Sequence, residues 1–311
     1  MYKLAVIVLN WNGWEDTIGC LESIQKGRVK DCRIWVLDNG SNDESVKKIG
    51  AWNVDRKVHF LKSNKNLGFT GGNNFLFRKI LKEKNKPKYI SIINNDTIVK
   101  KDTFKRLIKV LDSNKKIGVV SPAVFNYYDV KKLSLEDNPG KFNLKKGGGE
   151  KWPNSKNLLK GGKIFFVDYT GGSCWVLRRE TFEKAGLFNE KFFAYGEEID
   201  LAIRINKCGY KFAVDPTTRM WHKVAASSKK ISGFRIFYST RNMIWLERIH
   251  ASSVEFLFFL FNMVFIKFPK NIYEIMKQGK RFLCLKEYFR GIFIGLFTKR
   301  ENFDSRKYWK I

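Results

Sequence analysis

Three stretches of the chain carry residues whose types and spacing could do chemistry. The first is Asn94-Asn95-Asp96, two amides and a carboxylate that end the apolar run Tyr89-Ile90-Ser91-Ile92-Ile93. In an open α/β sheet, ligands bind just past the carboxyl ends of such strands, so Asp96 would face a cleft as a metal-binding or phosphate-facing carboxylate. Asn-Asn-Asp-Thr also has the composition of a plain turn. The second is Glu197-Glu198-Ile199-Asp200, with three carboxylates inside one helical turn. Their repulsion raises the pKa of at least one unless a cation sits nearby. A structural account competes: acids suit the positive end of a helix dipole, and Asp200 with Arg204 makes an i,i+4 ion pair. The third is Asn66-Leu67-Gly68-Phe69-Thr70-Gly71-Gly72-Asn73-Asn74. It reads as a glycine-rich turn opening a helix whose free N–H groups favour an anion such as a diphosphate. It matches neither the dinucleotide fingerprint nor the Walker loop. His222 is one of three histidines and follows Met220-Trp221. Taken alone it has the character of a packed or surface histidine.

These residues need a scaffold, and the hydrophobic pattern supplies one. Leu4 to Leu9, Arg33 to Leu37 and Val58 to Leu61 are short apolar runs, each closed by a polar turn. After Asn10-Trp11-Asn12-Gly13, Trp14, Ile18 and Leu21 line one helical face. After Asp38-Asn39-Gly40, Ser41 and Glu44 have capping-box spacing and predict a short helix. Asp102 is placed to cap a helix with the stripe Phe104, Leu107, Ile108 and Leu111. Further strands are expected over 117–120, 164–169, 174–177 and 210–214. Thr181 is placed to cap a short helix ending at Gly186, and the acidic helix runs to about Lys207 and stops at Gly209. The repeated strand, turn and helix predict a mostly parallel sheet flanked by helices. Residues 126–163 break the pattern with Lys, Asn, Gly and Pro. They read as a loop inserted beside the cleft, with Trp152-Pro153 as an anchor, although a loop with no function has the same composition.

The chain has 311 residues, 44% of them hydrophobic, enough for a large domain with an appendage or for two domains. Its net charge of +29 calls for an anionic partner: nucleic acid, anionic lipid or a phosphorylated substrate. The basic residues are spread along the chain, and no helix-turn-helix, zinc-finger or RNA-recognition motif is present, which argues against nucleic acid. Five scattered cysteines without a Cys-x-x-Cys pair fit reduced thiols facing the cytoplasm better than a zinc ribbon or a disulfide framework. The apolar run at Leu4 is too short for a signal peptide and reads as a first strand.

In their joint order these stretches resemble the family 2 glycosyltransferases of GT-A fold, close to their rhamnosyltransferase-like members. The resemblance spans roughly Leu4 to Asn242. It rests on Val8-Leu9-Asn10-Trp11-Asn12, Asp38-Asn39-Gly40-Ser41, Asn66-Leu67-Gly68-Phe69 with Gly71, Gly72 and Asn73, and Asn94-Asn95-Asp96. Gly171-Gly172, Arg178-Arg179, Gly186, the segment Phe192 to Arg204, Gly209-Tyr210, His222 and Arg241-Asn242 complete it. It implies transfer of a sugar from a nucleotide diphosphate sugar to an acceptor hydroxyl with inversion, dTDP-rhamnose being the donor it suggests. Asn10, Asp38 and Asn66 then match nucleoside-holding positions. Gly68, Gly71, Asn73, Asn94 and Asn95 join the donor site, and Ser228 a phosphate contact. Asp96 matches the last residue of a D-x-D motif that binds Mn²⁺ or Mg²⁺ on the diphosphate, and His222 a second metal-ligand position. A divalent ion offsets the charge that builds on a leaving diphosphate. The general base falls in a Glu-Asp pair that is Glu197-Glu198 here, so Glu198 is the expected base, with Glu197 and Asp200 in support or Asp200 as the base itself. This chain departs from the pattern at Glu198 and at Asn94-Asn95, which keeps a catalytically lapsed scaffold as an alternative beside the basic nucleic-acid-binding protein.

Beyond residue 235 a second region is expected, 236–311, of apolar and amphipathic helices. Residues 254–266 are nearly all apolar yet shorter than the ~20 residues a spanning helix needs. Residues 292–297 repeat the theme, and Lys267, Lys270, Lys277, Lys280 and Arg281 lie between the two. The pattern suits helices lying in a membrane interface on anionic lipid, and it also suits a packed helical hairpin or a dimer interface. The expected setting is peripheral, at the cytoplasmic face of the membrane, with a lipid-linked glycan as acceptor and oligomerisation left open. A processive synthase would need several spanning helices and a Gln-x-x-Arg-Trp motif, and the chain has neither.

Overall fold

The first strand, β1 (Tyr2–Asn10), is buried almost throughout, and its side chains alternate between two cores. Leu4, Val6 and Val8 face one core, and Ala5 and Ile7 the other. An apolar run without polar alternation is what a strand covered on both faces requires. In this computed structural model the described residues are 2–27, 29–129, 131, 139–151, 162–223, 233–277 and 279–299. β1 is followed by α1 (Trp14–Lys26), β2 (Cys32–Asp38), α2 (Ser45–Trp52), β3 (His59–Lys62), α3 (Gly68–Leu81) and β4 (Pro87–Asn94). Then come β5 (Thr97–Val99), α4 (Thr103–Ser113), β6 (Ile117–Asn126), β7 (Gly140–Asn143), β8 (Gly148–Lys151), β9 (Phe165–Val167) and β10 (Cys174–Arg178). The remaining elements are α5 (Arg179–Ala185), a 3₁₀ turn (Glu190–Phe192), α6 (Glu197–Lys207), β11 (Lys211–His222) and α7 (Phe234–His250). Last are α8 (Ser253–Asn262), a π turn (Met263–Lys267), α9 (Phe268–Met276) and α10 (Arg281–Phe297).

The main sheet has the order β3-β2-β1-β4-β10-β6-β11-β5, with β9 also paired to β11. β3, β2, β1 and β4 are mutually parallel, as are β6 and β11. β10 runs against both β4 and β6, and β5 and β9 run against β11. The sheet is therefore mixed, less parallel than expected, because β10 enters from the loop that follows the insertion rather than from a crossover helix. α1 and α4 cover one face through Leu21, Ile24, Leu107 and Leu111. α3, α5 and α6 cover the other through Leu76, Phe77, Phe182 and Leu201. Each such fully buried side chain contributes about 1.5–3 kcal/mol relative to exposure.

Three expected helix caps do not form. Ser41 does not cap α2; its hydroxyl donates to Asp38 Oδ2 at 2.7 Å instead. Asp102 precedes α4 without a capping bond and pairs with Arg106. Thr181 lies inside α5, which begins at Arg179, and donates to Gly118 O. The expected strand at 210–214 and the stretch through His222 form one bulged strand, β11. The insertion is not all loop: β7 and β8 make an antiparallel hairpin that packs on Tyr169 and Ile199. Trp152-Pro153 lies outside the described residues. All five cysteines are free, as expected.

Candidate active site

Four parallel strands end at one edge, and their last residues build the site. Asn10 closes β1 and Asp38 closes β2, paired in register. Asn10 Nδ2 donates to Asp38 Oδ2 at 2.8 Å, and its Oδ1 accepts from Thr17 Oγ1 at 2.7 Å. Ser41 ties the loops together: its N–H donates to Asp38 Oδ1 and its Oγ accepts from Asn12 N. Asn39 continues the chain of bonds. Its Nδ2 donates to Asn66 Oδ1 at 3.0 Å, and its Oδ1 accepts from Leu67 N. Asn66 Oδ1 also accepts from Gly68 N at 2.8 Å. Asn10, Asp38 and Asn66 are thus brought into one hydrogen-bonded floor, joined by Asn39 and Ser41. Their type and place after strand ends were visible in the sequence; the linking bonds were not.

The glycine-rich stretch behaves differently from the expected anion cradle. Gly68 opens α3 with φ +73°, and a Cβ there would meet the Phe193 ring at 2.5 Å. A Cβ on Gly72 would meet Leu9 Cδ1 at 2.5 Å. Gly71 packs against Leu67 and Glu190. The glycines therefore let α3 lie tight on β1 and on the 193 segment. Thr70 N is already bonded to Phe193 O, and Gly68 N to Asn66, so these N–H groups are spent within the protein. Asn73 donates to Phe69 O, while its buried Oδ1 has no hydrogen-bond partner.

At the next strand end, Asn94 accepts at its carbonyl from Thr97 Oγ1, and its N–H donates to Ser173 O at 2.9 Å. Asn95 turns back toward α1, its Nδ2 donating to Thr17 Oγ1 at 2.9 Å. Asp96 is buried beside His222, its Oδ1 3.1 Å from His222 Nε2. The pairing of β5 with β11 makes the approach, setting Thr97 opposite His222. Among the described residues no group of three or more His, Cys, Asp and Glu side chains could hold a metal. The pair itself is a carboxylate oxygen and an imidazole nitrogen at a separation that two ligands of one ion adopt, given bonds of about 2.0–2.2 Å. Two protein donors suit an ion held in part by phosphate oxygens. Ser228 lies outside the described residues.

The acidic helix α6 starts beside this edge. Gly172, next to Ser173, faces Glu198: a Cβ placed on Gly172 would stand in ordinary contact with Glu198 Cβ, at 3.8 Å. Ser173 holds Asn94, so one turn links the Asn94–Asp96 edge to Glu198. Glu198 is partly exposed, and its Oε2 accepts from Gly196 N at 3.0 Å. Glu197 is buried with Oε2 unpartnered. Burial, then the Glu198 charge, pushes its carboxyl well above the usual range. Asp200 faces the other way. Burial would raise its pKa, but the His250 hydrogen bond at 2.8 Å and the Arg204 charge override that and lower it. Arg204 grips its Oδ2 at 2.7 and 3.1 Å. With both oxygens held, Asp200 ties α6 to Arg204 and to His250 at the end of α7.

Ahead of α6, Phe193, Tyr195 and Gly196 all have positive φ. Such a run is costly unless its surroundings enforce it. The enforcement comes from α7. Asn242 Nδ2 donates to the carbonyls of Phe192, Ala194 and Tyr195 at 3.0, 2.7 and 2.6 Å. Arg241 donates to the carbonyls of Lys191 and Phe192, and its Nε to Asn242 Oδ1. Both side chains are fully buried. The helix that opens the C-terminal region is therefore built into the site, and His250 at its end reaches Asp200.

Residues 5–186 match the family model of glycosyl transferase family 2. The chain is 24% identical over 279 residues to the low-salt glycan biosynthesis hexosyltransferase Agl10 of Haloferax volcanii, covering 86% of each. A stretch of 62 residues, 20% of each chain, is 36% identical to the N-acetylglucosaminyl-diphospho-decaprenol L-rhamnosyltransferase of Mycobacterium tuberculosis (strain CDC 1551 / Oshkosh). Among solved structures, the fold is similar to GalNAc-T7 with UDP, GalNAc and Mn²⁺, at TM-score 0.58 and 17% identity, covering 71% of this chain and 43% of that one. It is also similar to S. aureus TarS 1–349, at TM-score 0.54 and 12% identity, covering 93% and 81%. Both are likenesses of fold.

Proposed function

Because the chain belongs to glycosyl transferase family 2, we propose that it is a metal-dependent inverting enzyme using a nucleotide diphosphate sugar. The nucleoside lies on the floor of Asn10, Asp38 and Asn66. Asp96 and His222 would hold a divalent ion, which would supply Lewis-acid stabilisation of the departing diphosphate. Glu198 takes the proton of the acceptor hydroxyl as its oxygen bonds to the anomeric carbon. The bond from that carbon to the diphosphate oxygen breaks on the opposite face, and the nucleoside diphosphate leaves. Burial and the Glu198 charge favour the protonated form of Glu197 beside Glu198. Asp200 fixes the helix through Arg204 and His250. The donor is dTDP-rhamnose and the acceptor a lipid-linked glycan, a reading supported by the short match to the mycobacterial rhamnosyltransferase.

The observation that carries the proposal is the turn at Gly172-Ser173, which joins the Asp96 edge to Glu198. The test is calorimetry with a panel of nucleotide diphosphate sugars, with and without Mn²⁺, beside Asp96→Ala. One donor bound in a manner that needs both Mn²⁺ and Asp96 is expected. Folded protein that binds no donor would refute the proposal.

A further inference from the structure

The C-terminal helices are apolar on two sides, and only one side is covered. Inward, Phe259 and Met263 pack on Ile244 of α7, with Ile292 and Leu296 of α10 against the same cluster. Outward, Val254, Leu257, Phe261 and Phe265 recur at helical spacing and are 57–66% exposed. On α10, Phe289, Phe293 and Phe297 repeat every four residues and are 49–70% exposed. A water-facing helix does not place large apolar side chains on its outer face, so these stripes call for a covering surface. No described helix is long and apolar enough to cross a membrane.

Charge distinguishes the possible covers. Residues 251–299 hold eight Lys and Arg against three Glu, on a chain of net charge +29. Lys270, Lys280, Arg281 and Lys286 are exposed among the apolar side chains. Two copies facing each other through such a surface would repel, whereas an anionic bilayer attracts it by about 1 kcal/mol per basic residue near the surface. We propose that the outer faces of α8, the π turn and α10 dock in the interface of an anionic lipid bilayer. Short apolar stripes among lysines insert to headgroup depth without spanning.

The surface connects to the acidic helix. The hairpin β7–β8 touches both: Gly148 and Gly149 lie against Ile199, the residue after Glu198, and Lys145 Nζ stands 5.2 Å from the Phe258 ring on α8. Docking therefore brings the base side of the cleft to the bilayer, where a lipid-linked acceptor would be presented. That last step rests on the transferase reading; the docking itself does not.

The test is sedimentation of the full-length protein with vesicles of phosphatidylglycerol and phosphatidylcholine, beside vesicles of phosphatidylcholine alone. Comparison is with Leu257→Gln/Phe261→Gln/Phe265→Gln and with Val54→Gln, an exposed apolar residue far along the chain. Donor binding is followed in parallel as a check on folding. The wild type and Val54→Gln should pellet with the anionic vesicles, less so at high salt, and the triple variant should bind at least about tenfold more weakly with donor binding intact. Equal pelleting of the triple variant would overturn the proposal. So would absence of vesicle binding together with a concentration-dependent dimer that the triple variant abolishes. Vesicle binding by a chain that binds no donor would sink the transferase reading and leave the docking surface standing.

Discussion

Asn242→Ala tests whether α7 holds the catalytic segment in its strained shape. The substitution removes an amide whose two N–H hydrogens are shared among three carbonyls, and takes its acceptor from Arg241 Nε. At about 1 kcal/mol net for each of the two N–H hydrogens, plus about 2 for the charged donor that loses its acceptor, the gross loss is about 4 kcal/mol. Part returns, because Phe193 and Tyr195 need no longer hold φ of 66° and 68°. Relaxing two such residues returns about 2 kcal/mol at the low end of the cost of strain. The net loss is about 2 kcal/mol, a fall in Tm of roughly 3 °C at about 2.1 cal/mol/K of unfolding entropy per residue over 311 residues. The same relaxation moves the first turn of α6, and a misplacement of the base by about 1 Å costs about a hundredfold in kcat. The donor KM should hold, since none of the floor residues contacts Asn242. The assay is transfer from the donor identified by calorimetry, well below the lowered Tm. The comparison is Leu111→Ala, which loses about 2–5 kcal/mol in the core far from the clamp. A kcat no lower than that of Leu111→Ala, or an unchanged Tm, would refute the reasoning.

Other outcomes follow from the same geometry. Glu198→Gln should lower kcat about a thousandfold while leaving Mn²⁺-dependent donor binding intact, measured by single-turnover transfer and calorimetry. Loss of donor binding instead would reassign Glu198 to the donor site. Glu247, buried on α7, is pushed up to about 8 by burial, from an ordinary 4.5. The fold therefore favours its protonated form: its contribution is full below about pH 4.5 and falls away as pH rises through about 8. Glu247→Gln should raise Tm by several degrees at about pH 9 and change it little at about pH 4, and a pH-independent effect in thermal melts would show that Glu247 is not the source.

The strand-end edge of the candidate site was legible because it is local. Apolar runs closed by Asn10, Asp38 and Asn94 set the strand ends, and a parallel arrangement must bring those ends to one edge. The short range of that logic also explains its failures. Ser41, Asp102 and Thr181 each had helix-cap spacing, yet Ser41 bonds Asp38 instead, Asp102 pairs with the side chain of Arg106, and Thr181 falls inside its helix. The glycines of 68–72 suggested a phosphate turn, but their lack of Cβ serves the close approach of Leu9 and Phe193. Nothing in the spacing of the acidic cluster could say which carboxylate has both oxygens held: Asp200 is held by Arg204, four residues on and visible in the sequence, and by His250, fifty residues on and not.

By itself the sequence determined the strand ends, the acidic helix, the excess of positive charge and the apolar tail, since each depends on residue type and short-range period. Only the tertiary structure decided that β10 reverses the sheet, that β5 carries Asp96 to His222, and that α7 clamps the segment ahead of the acidic helix. These are contacts between residues tens to hundreds of positions apart. Their energy comes from burial and from hydrogen bonds completed only when the whole chain has closed, so no local pattern encodes them.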